Sequence, residues 1–227
     1  AFGFYQRVDI QGTEQQGADS AKWNKNTAPN LNGLVAYNTQ YLKNTSFAAF
    51  GQLSWHVTDR LTLQPGVRIN YDKKDGLYDR TVFDGAGHPV PATGGTAYIT
   101  PTNAAALRKI YAPQHYEPEF SAWNFSYDFT ASYQVAPDVL LYGTYARNFR
   151  TGAINNNGVP SDTAGNPILA LASIKPETVN HFEAGLKTRF WDHRATFNLA
   201  AFRTTIDNYQ TSVVATGSGL PRNAYIA

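Results

Sequence analysis

The sequence predicts an all-β chain, the wall of an antiparallel transmembrane β-barrel. Three observations carry this. The first is the run WNFSYDFTASYQV at 123–135. There Trp123, Phe125, Tyr127, Phe129, Ala131, Tyr133 and Val135 alternate without a break against Asn124, Ser126, Asp128, Thr130, Ser132 and Gln134. Strict period two is the strand signal, and the run is about twice the usual strand length of 5–6 residues. The second is that the pattern recurs along the chain. The third is that the links between these segments alternate between very short and very long.

The elements follow in order. AFGFYQRVDI (1–10) reads as the end of a strand. SFAAFGQLSWHVT (46–58) puts Phe47, Ala49, Leu53, Trp55 and Val57 on one face, with Phe50 as an exception on the other. LTLQPGVRINYD (61–72) sets Leu61, Leu63, Val67, Ile69 and Tyr71 against Thr62, Gln64, Arg68, Asn70 and Asp72. After 123–135, VLLYGTYARNF (139–149) is apolar on both faces and has no evident orientation. ETVNHFEAGLKTRF (177–190) sets Phe182, Ala184, Leu186 and Phe190 against His181, Glu183, Lys187 and Arg189. ATFNLAAFRTTID (195–207) starts cleanly but blurs at Phe202 and Arg203, where a bulge is expected. RNAYIA (222–227) reads as the start of an eighth strand.

Short links fall at about 58–60, 136–138 and 191–194, rich in Asp with one Pro, as tight turns require. Long ones fall at about 12–45, 74–119, 151–176 and 211–225, with NAAALRKIY (103–111) as a short helix inside the second. An up-and-down sheet would collect all short turns at one end, expected to be periplasmic, and all long loops at the other, expected to be extracellular. That asymmetry, with long strands, is the pattern of outer-membrane barrels. Alternation with one wet face also fits a soluble antiparallel sheet, but such a sheet has no reason to keep loop length one-sided.

Energetics fixes the faces. Arg68 turned to lipid near the midplane would cost about 2–4 kcal/mol, so the Arg68 and Asp128 rows belong to a wet lumen and the aromatic rows to lipid. Trp55 and Phe190 then lie near the short-turn end, and Trp123 and Tyr71 near the long-loop end, where aromatic girdles sit. Seven or eight strands, seven being odd, imply an arc of a larger barrel. The 227 residues contain no methionine, and the first ones already read as strand, so a longer parent chain is expected.

Composition excludes several classes. No apolar run approaches the 18 or so residues of a membrane helix. A net charge of +2 with mixed signs gives no footprint for nucleic acid. The chain has no cysteine, and its five histidines (56, 88, 115, 181 and 193) have no metal-ligand spacing, so no metal site is expected. No nucleophile elbow, phosphate loop or dinucleotide fingerprint appears, so neither catalytic residues nor a cofactor are expected.

Three stretches resemble one family. SFAAFGQLSWHVTDRLTLQPGVRINYDKKDG (46–76), LLYGTYARNFRTGAINNNG (140–158) and IKPETVNHFEAGLKTRFWDHRATFNLAAFRTTIDNYQ (174–210) are similar, in this order, to barrel hairpins of TonB-dependent outer-membrane receptors. The resemblance covers roughly residues 1–10 and 46–227, apart from the loops. It implies a bacterial outer-membrane location, a 22-stranded barrel around a globular plug, and uptake of a scarce nutrient, most often a ferric siderophore. An inner-membrane complex would energise uptake by pulling on the plug. No stretch here resembles the plug or the closing C-terminal strand, so this chain is expected to supply wall and loops. A passive porin-like or adhesive barrel is the alternative.

Ligand contacts are expected at the long-loop end. Arg147, Asn148 and Arg150 sit where a strand enters a long loop, and Tyr78 and Arg80 at the same level of a neighbouring hairpin. Tyr111, His115 and Tyr116 cluster in the longest loop. Arginines there suit an anionic chelate and aromatic rings a planar one. The plainer account for each is loop packing or a girdle.

Overall fold

One hydrogen-bonded ladder organises the chain. The computed structural model describes residues 2–16, 33–162, 166–215 and 222–226. In chain order the elements are β1 (Phe2–Gln16), β2 (Val35–Gln52), β3 (Trp55–His56), β4 (Leu61–Phe83), helix α1 (Pro101–Arg108), β5 (Gln114–Tyr116), β6 (Glu119–Ala136), β7 (Val139–Arg150), β8 (Ala153–Ile154), β9 (Ser173–Ile174), β10 (Glu177–Phe190), β11 (Ala195–Asp207), β12 (Thr211–Ala215) and β13 (Arg222–Ile226). The wall runs β1-β2-β4-β6-β7-β10-β11, every neighbour antiparallel, with β3 and β5 added to β4.

The register sorts residues onto two faces. Phe129 faces Tyr145, Tyr145 faces Phe182, and Phe182 faces Arg203. Two rows lower on the same face, Tyr133, Leu141, Leu186 and Leu199 stand in line across the same four strands. This face is open: Trp123 is 64% exposed and Leu199 59%. It is the face a barrel wall turns to lipid. The opposite face is knitted by side chains. Ser46 Oγ donates to Asp72 Oδ1 (2.6 Å), Arg68 Nε to Asn70 Oδ1 (2.6 Å), and Tyr142 Oη to Glu183 Oε1 (2.6 Å). Strand ends are staggered in one direction. Leu61 opens β4 opposite Tyr133, while β6 runs on to Ala136; Val139 opens β7 opposite Thr188, while β10 runs on to Phe190. Such stagger belongs to strands tilted by about 35–45°.

Several expectations change. β7 has a definite orientation, with Leu141 and Tyr145 on the open face and Leu140 and Tyr142 on the polar one. No bulge interrupts β11, whose ladder with β10 runs unbroken from Asp207 to Ala195. Phe202 therefore lies on the polar face against His181 (5.9 Å between ring centres), and Arg203 on the open face opposite Phe182. The irregularity lies instead at Gln134–Ala136, where the Gln134 amide donates to the carbonyls of Ala136 (2.7 Å) and Pro137 (3.1 Å).

The loops expected at 12–45 and 74–119 are shorter than that. β1 continues to Gln16, β2 begins at Val35, and β4 continues to Phe83. Pairing goes on above the apolar band, but there the outward residues no longer need to be apolar, so the hydropathy signal fades while the ladder persists. Of RNAYIA, Arg222–Ile226 is a strand, yet it pairs with β12 in its own hairpin and not with the wall. Residues 17–32, 163–165 and 216–221 of the expected loops lie outside the described residues. The helix expected at 103–111 starts at Pro101, capped by Thr100, whose Oγ1 accepts from Asn103 N (3.3 Å).

The long segment after β4 folds back over the polar face. Val90, Ile99, Ala104, Leu107 and Ile110 bury against Leu34, Ala36 and Val82. Burial of each large aliphatic chain contributes about 1.5–3 kcal/mol, so this segment is a fixed part of the wall's long-loop end.

The faces can be tested by charge. In the intact protein, Leu186→Arg on the open face is expected to cost about 2–4 kcal/mol, and Ser132→Arg on the polar face far less. Urea unfolding from lipid vesicles measures both, and equal costs would refute the assignment.

Candidate functional site at the long-loop end

Above the apolar band, the polar face of β2, β4 and β5 carries a buried group of side chains. Register puts Asn38 opposite Arg80, and Arg80 and Tyr78 opposite Gln114 and Tyr116. Tyr78 and Asn38 are wholly buried, Arg80 is 5% exposed and Tyr116 6%. Tyr78 Oη donates to Asn38 Oδ1 (3.0 Å), as does Arg80 Nε (2.7 Å). The Arg80 guanidinium lies 5.3 Å from the Tyr78 ring centre and 5.8 Å from that of Tyr111.

The segment 155–161 lies over this group and is tied down mainly by polar bonds. The Gln114 amide bonds Val159 twice, donating to its carbonyl (2.7 Å) and accepting from its N–H (3.1 Å), and also donates to Ser161 Oγ (3.2 Å). Tyr116 Oη donates to the Asn155 carbonyl (2.8 Å), and Asn156 Nδ2 to the Tyr41 carbonyl (2.9 Å). Gly158 has φ +86°, and a Cβ there would sit 3.2 Å from Tyr78 Oη. Conformation and space both call for glycine at that position. Burial pushes the Tyr116 phenol well above its ordinary value, and the neighbouring Tyr78 adds to the rise.

The expected site residues divide into three groups. Tyr78, Arg80, Tyr111 and Tyr116 do come together, but beneath the loops. Asn148 and Arg150 lie exposed on the polar face of β7, where Arg150 stands opposite Glu177. Arg147 and His115 fall on the other face. Arg147 stands opposite Tyr127 and Asn180 and donates to Asn180 Oδ1 (3.4 Å); His115 pairs with Asp79 (2.9 Å). Missed in the sequence were Asn38, Gln114 and Asn155, amides without a motif, and Lys74, whose ammonium reaches the Gly152 carbonyl. The chain after β11 is pinned nearby: Gln210 N donates to Glu177 Oε2 (2.7 Å), and its side chain to the Thr151 (3.0 Å) and Lys175 (2.9 Å) carbonyls. Among the described residues no group of three or more His, Asp, Glu or Cys is arranged to hold a metal.

An open face of aromatic and aliphatic rows, a hydrogen-bonded polar face and loops folded over one end define a segment of a transmembrane β-barrel. The family model for the TonB dependent receptor-like β-barrel matches residues 2–226, and the chain belongs to that family. Its members are outer-membrane transport receptors. Among solved structures, the chain is similar to the ferric yersiniabactin uptake receptor FyuA from Yersinia pestis, with 20% identity and a TM-score of 0.54, over 77% of this chain and 22% of that one. The ferric-catecholate import receptor Fiu from K12 E. coli matches at 17% identity and a TM-score of 0.42, over 85% of this chain and 25% of that one. The alcaligin outer membrane receptor FauA from Bordetella pertussis matches at 15% and 0.41, over 98% and 34%. The likeness to FyuA is one of fold. The chain spans between 22% and 34% of these receptors' lengths.

The Tyr116 contact gives a pH test. A folded-state value above the unfolded one means stabilisation that is complete below about pH 10 and lost as pH rises beyond it. This chain has no cysteine, so in an intact receptor cleared of cysteines elsewhere a fluorophore on Asn157→Cys reports on the segment alone. Its mobility is expected to rise above about pH 10, and no such rise is expected with Tyr116→Phe. Gln114→Ala is expected to favour opening at neutral pH by about 1–3 kcal/mol. A label indifferent to both substitutions would refute this anchoring.

Proposed function

We propose that this chain is part of an outer-membrane active-transport receptor for a scarce nutrient, a ferric siderophore or similar iron chelate. Membership of the receptor family is the observation that carries the reading. The fold likeness to a ferric yersiniabactin uptake receptor supports the cargo class. Energy would come from an inner-membrane TonB complex acting on a plug supplied elsewhere in the receptor. In this reading the wall and loops bind and guide, and no residue makes or breaks a bond. The short turns at 57–60, 137–138 and 191–194 would face the periplasm, and the long loops the cell exterior.

Cargo contact is assigned first to Asn148 and Arg150, which are exposed on the polar face just before the link 151–152, where Lys74 meets the Gly152 carbonyl. A guanidinium there offers charge-assisted hydrogen bonds to an anionic chelate. Arg147 and His115, on the outward face, are assigned no contact.

Radio-iron uptake by cells carrying the intact receptor tests this. Uptake of at least one ferric chelate is expected to require both the receptor and a working TonB complex. Uptake that persists without TonB would favour a passive channel. Arg150→Ala with Asn148→Ala is expected to weaken chelate binding about tenfold, roughly 1.4 kcal/mol, and Arg147→Ala to leave it unchanged. The reverse order would overturn the assignment.

A further inference from the structure

Arg147 is the cation that the uptake reading leaves without a task. It stands on the open face of β7, with Tyr145 below it and Phe149 above. Going up that face, the first charged or amide side chain is Arg147 on β7, Asn180 on β10 and Arg203 on β11. These three mark the upper edge of the apolar band, the level at which lipid headgroups begin. They also form a set of donors. Asn180 Oδ1 accepts from Tyr145 Oη (3.2 Å) and from Arg147 Nη1 (3.4 Å), which identifies the oxygen end of the amide. Asn180 Nδ2 is then a donor beside a guanidinium that keeps further N–H groups to give. Charge agrees with this. The outward face of β7, β10 and β11 carries two arginines, Arg147 and Arg203, against one carboxylate, Asp207, which stands a row above Asn180.

Just below these donors the outer wall is hollow. Gly143, Ala184 and Ala201 stand in one row, with Tyr145 and Phe182 in the row above and leucines in the row below. They floor a groove of about 550 Å³ that Tyr145, Phe182 and Arg203 border. Gly143 is the informative residue. Its φ is not positive, and an added Cβ would meet nothing nearer than the Glu183 carbonyl at 3.9 Å. Neither its backbone nor its packing within this wall calls for glycine, and glycine weakens a strand. Such a glycine marks a place where something else approaches the backbone closely.

We infer that this outward face seats one anionic, phosphate-bearing membrane lipid. Arg147, flanked by Asn180 and Arg203, takes the phosphate through charge-assisted hydrogen bonds. An acyl chain of the same lipid lies in the groove over Gly143, Ala184 and Ala201. A plain interfacial girdle would need no groove, and a gap in the apolar wall would need no cations; here the two meet at Tyr145 and Arg203. The site rests on the assignment of the faces and not on the uptake reading.

The test titrates dioleoylphosphatidylglycerol into the purified intact receptor in a neutral detergent and counts bound lipid by native mass spectrometry. Dioleoylphosphatidylcholine and inorganic phosphate are the controls. The site is read as the difference between wild type and variant. The wild type is expected to retain one phosphatidylglycerol that Arg147→Gln holds about tenfold more weakly, with Arg147→Lys in between. Gly143→Phe leaves every headgroup contact in place and fills the groove, and it is expected to weaken the same lipid about as much. Phosphatidylcholine should show no such difference between wild type and variants, and inorganic phosphate should not displace the lipid. Phenylalanine suits a lipid-facing strand, so the urea midpoint of Gly143→Phe in vesicles is expected to equal or exceed that of the wild type. Unchanged phosphatidylglycerol binding in either Arg147→Gln or Gly143→Phe would overturn the site, as would the same losses with phosphatidylcholine. Displacement by inorganic phosphate would mean that no acyl chain is held, and a clear fall in the Gly143→Phe midpoint would mark Gly143 as a packing residue; each would overturn the site as well.

Discussion

Everything in this wall depends on the ladder. In lipid an unpaired backbone N–H or C=O has no water to turn to, so every strand must be paired along its membrane length. Between neighbours the registers from β1 to β11 meet that demand, with one shift at Gln134–Ala136. Once register is fixed, parity fixes the face, and each face meets a different solvent. That is why Phe129, Tyr145 and Phe182 stand in one row while Thr130 and Thr144 join by a hydrogen bond (2.9 Å) on the other side.

The solvent changes along a strand even though the ladder does not. In the lower part of β4 the outward residues are Leu63, Val67, Ile69 and Tyr71. Higher up they are Lys73 and Asp75, ion-paired at 3.1 Å, and Asp79. The inward residues change too, from Arg68, Asn70 and Asp72 to Tyr78 and Val82 on either side of Arg80, all covered by the loops. One strand thus loses its clean alternation, each face becoming mixed, where lipid gives way to water outside and to packed loops inside. β11 does the same at Ala201, after which Phe202 turns inward and Arg203 outward.

This change of surroundings explains what the sequence showed and what it hid. Period two was legible wherever lipid imposed it, so all seven wall strands were recognised. Apolar residues on both parities of upper β4 read as a loop after Asp72, and the switch of parity in β11 read as a bulge at Phe202. β7 was ambiguous because Leu140 is apolar on the lumen side. The candidate residues could be placed by height but not by face. Arg147, Asn148 and Arg150 lie together in sequence, yet one residue of parity separates Arg147 from the other two. Asn38 and Gln114 carried no signal, since an amide becomes informative only when its partners are known.

The two segments that cover the polar face differ in what holds them, and the difference orders their opening. Residues 90–110 are fixed by Val90, Ile99, Leu107 and Ile110 packed on Leu34 and Val82. Lifting them would return several large apolar chains to water, each at about 1.5–3 kcal/mol. Residues 155–161 are held chiefly by amide, phenol and backbone hydrogen bonds, each contributing a net of only about 0.5–1.5 kcal/mol because water can replace it. The polar cover should therefore open first, over a scaffold that stays in place. Polar fastening also favours one closed geometry, since Gln114 meets Val159 through two directed bonds and Gly158, at φ +86°, leaves no room for a Cβ against Tyr78.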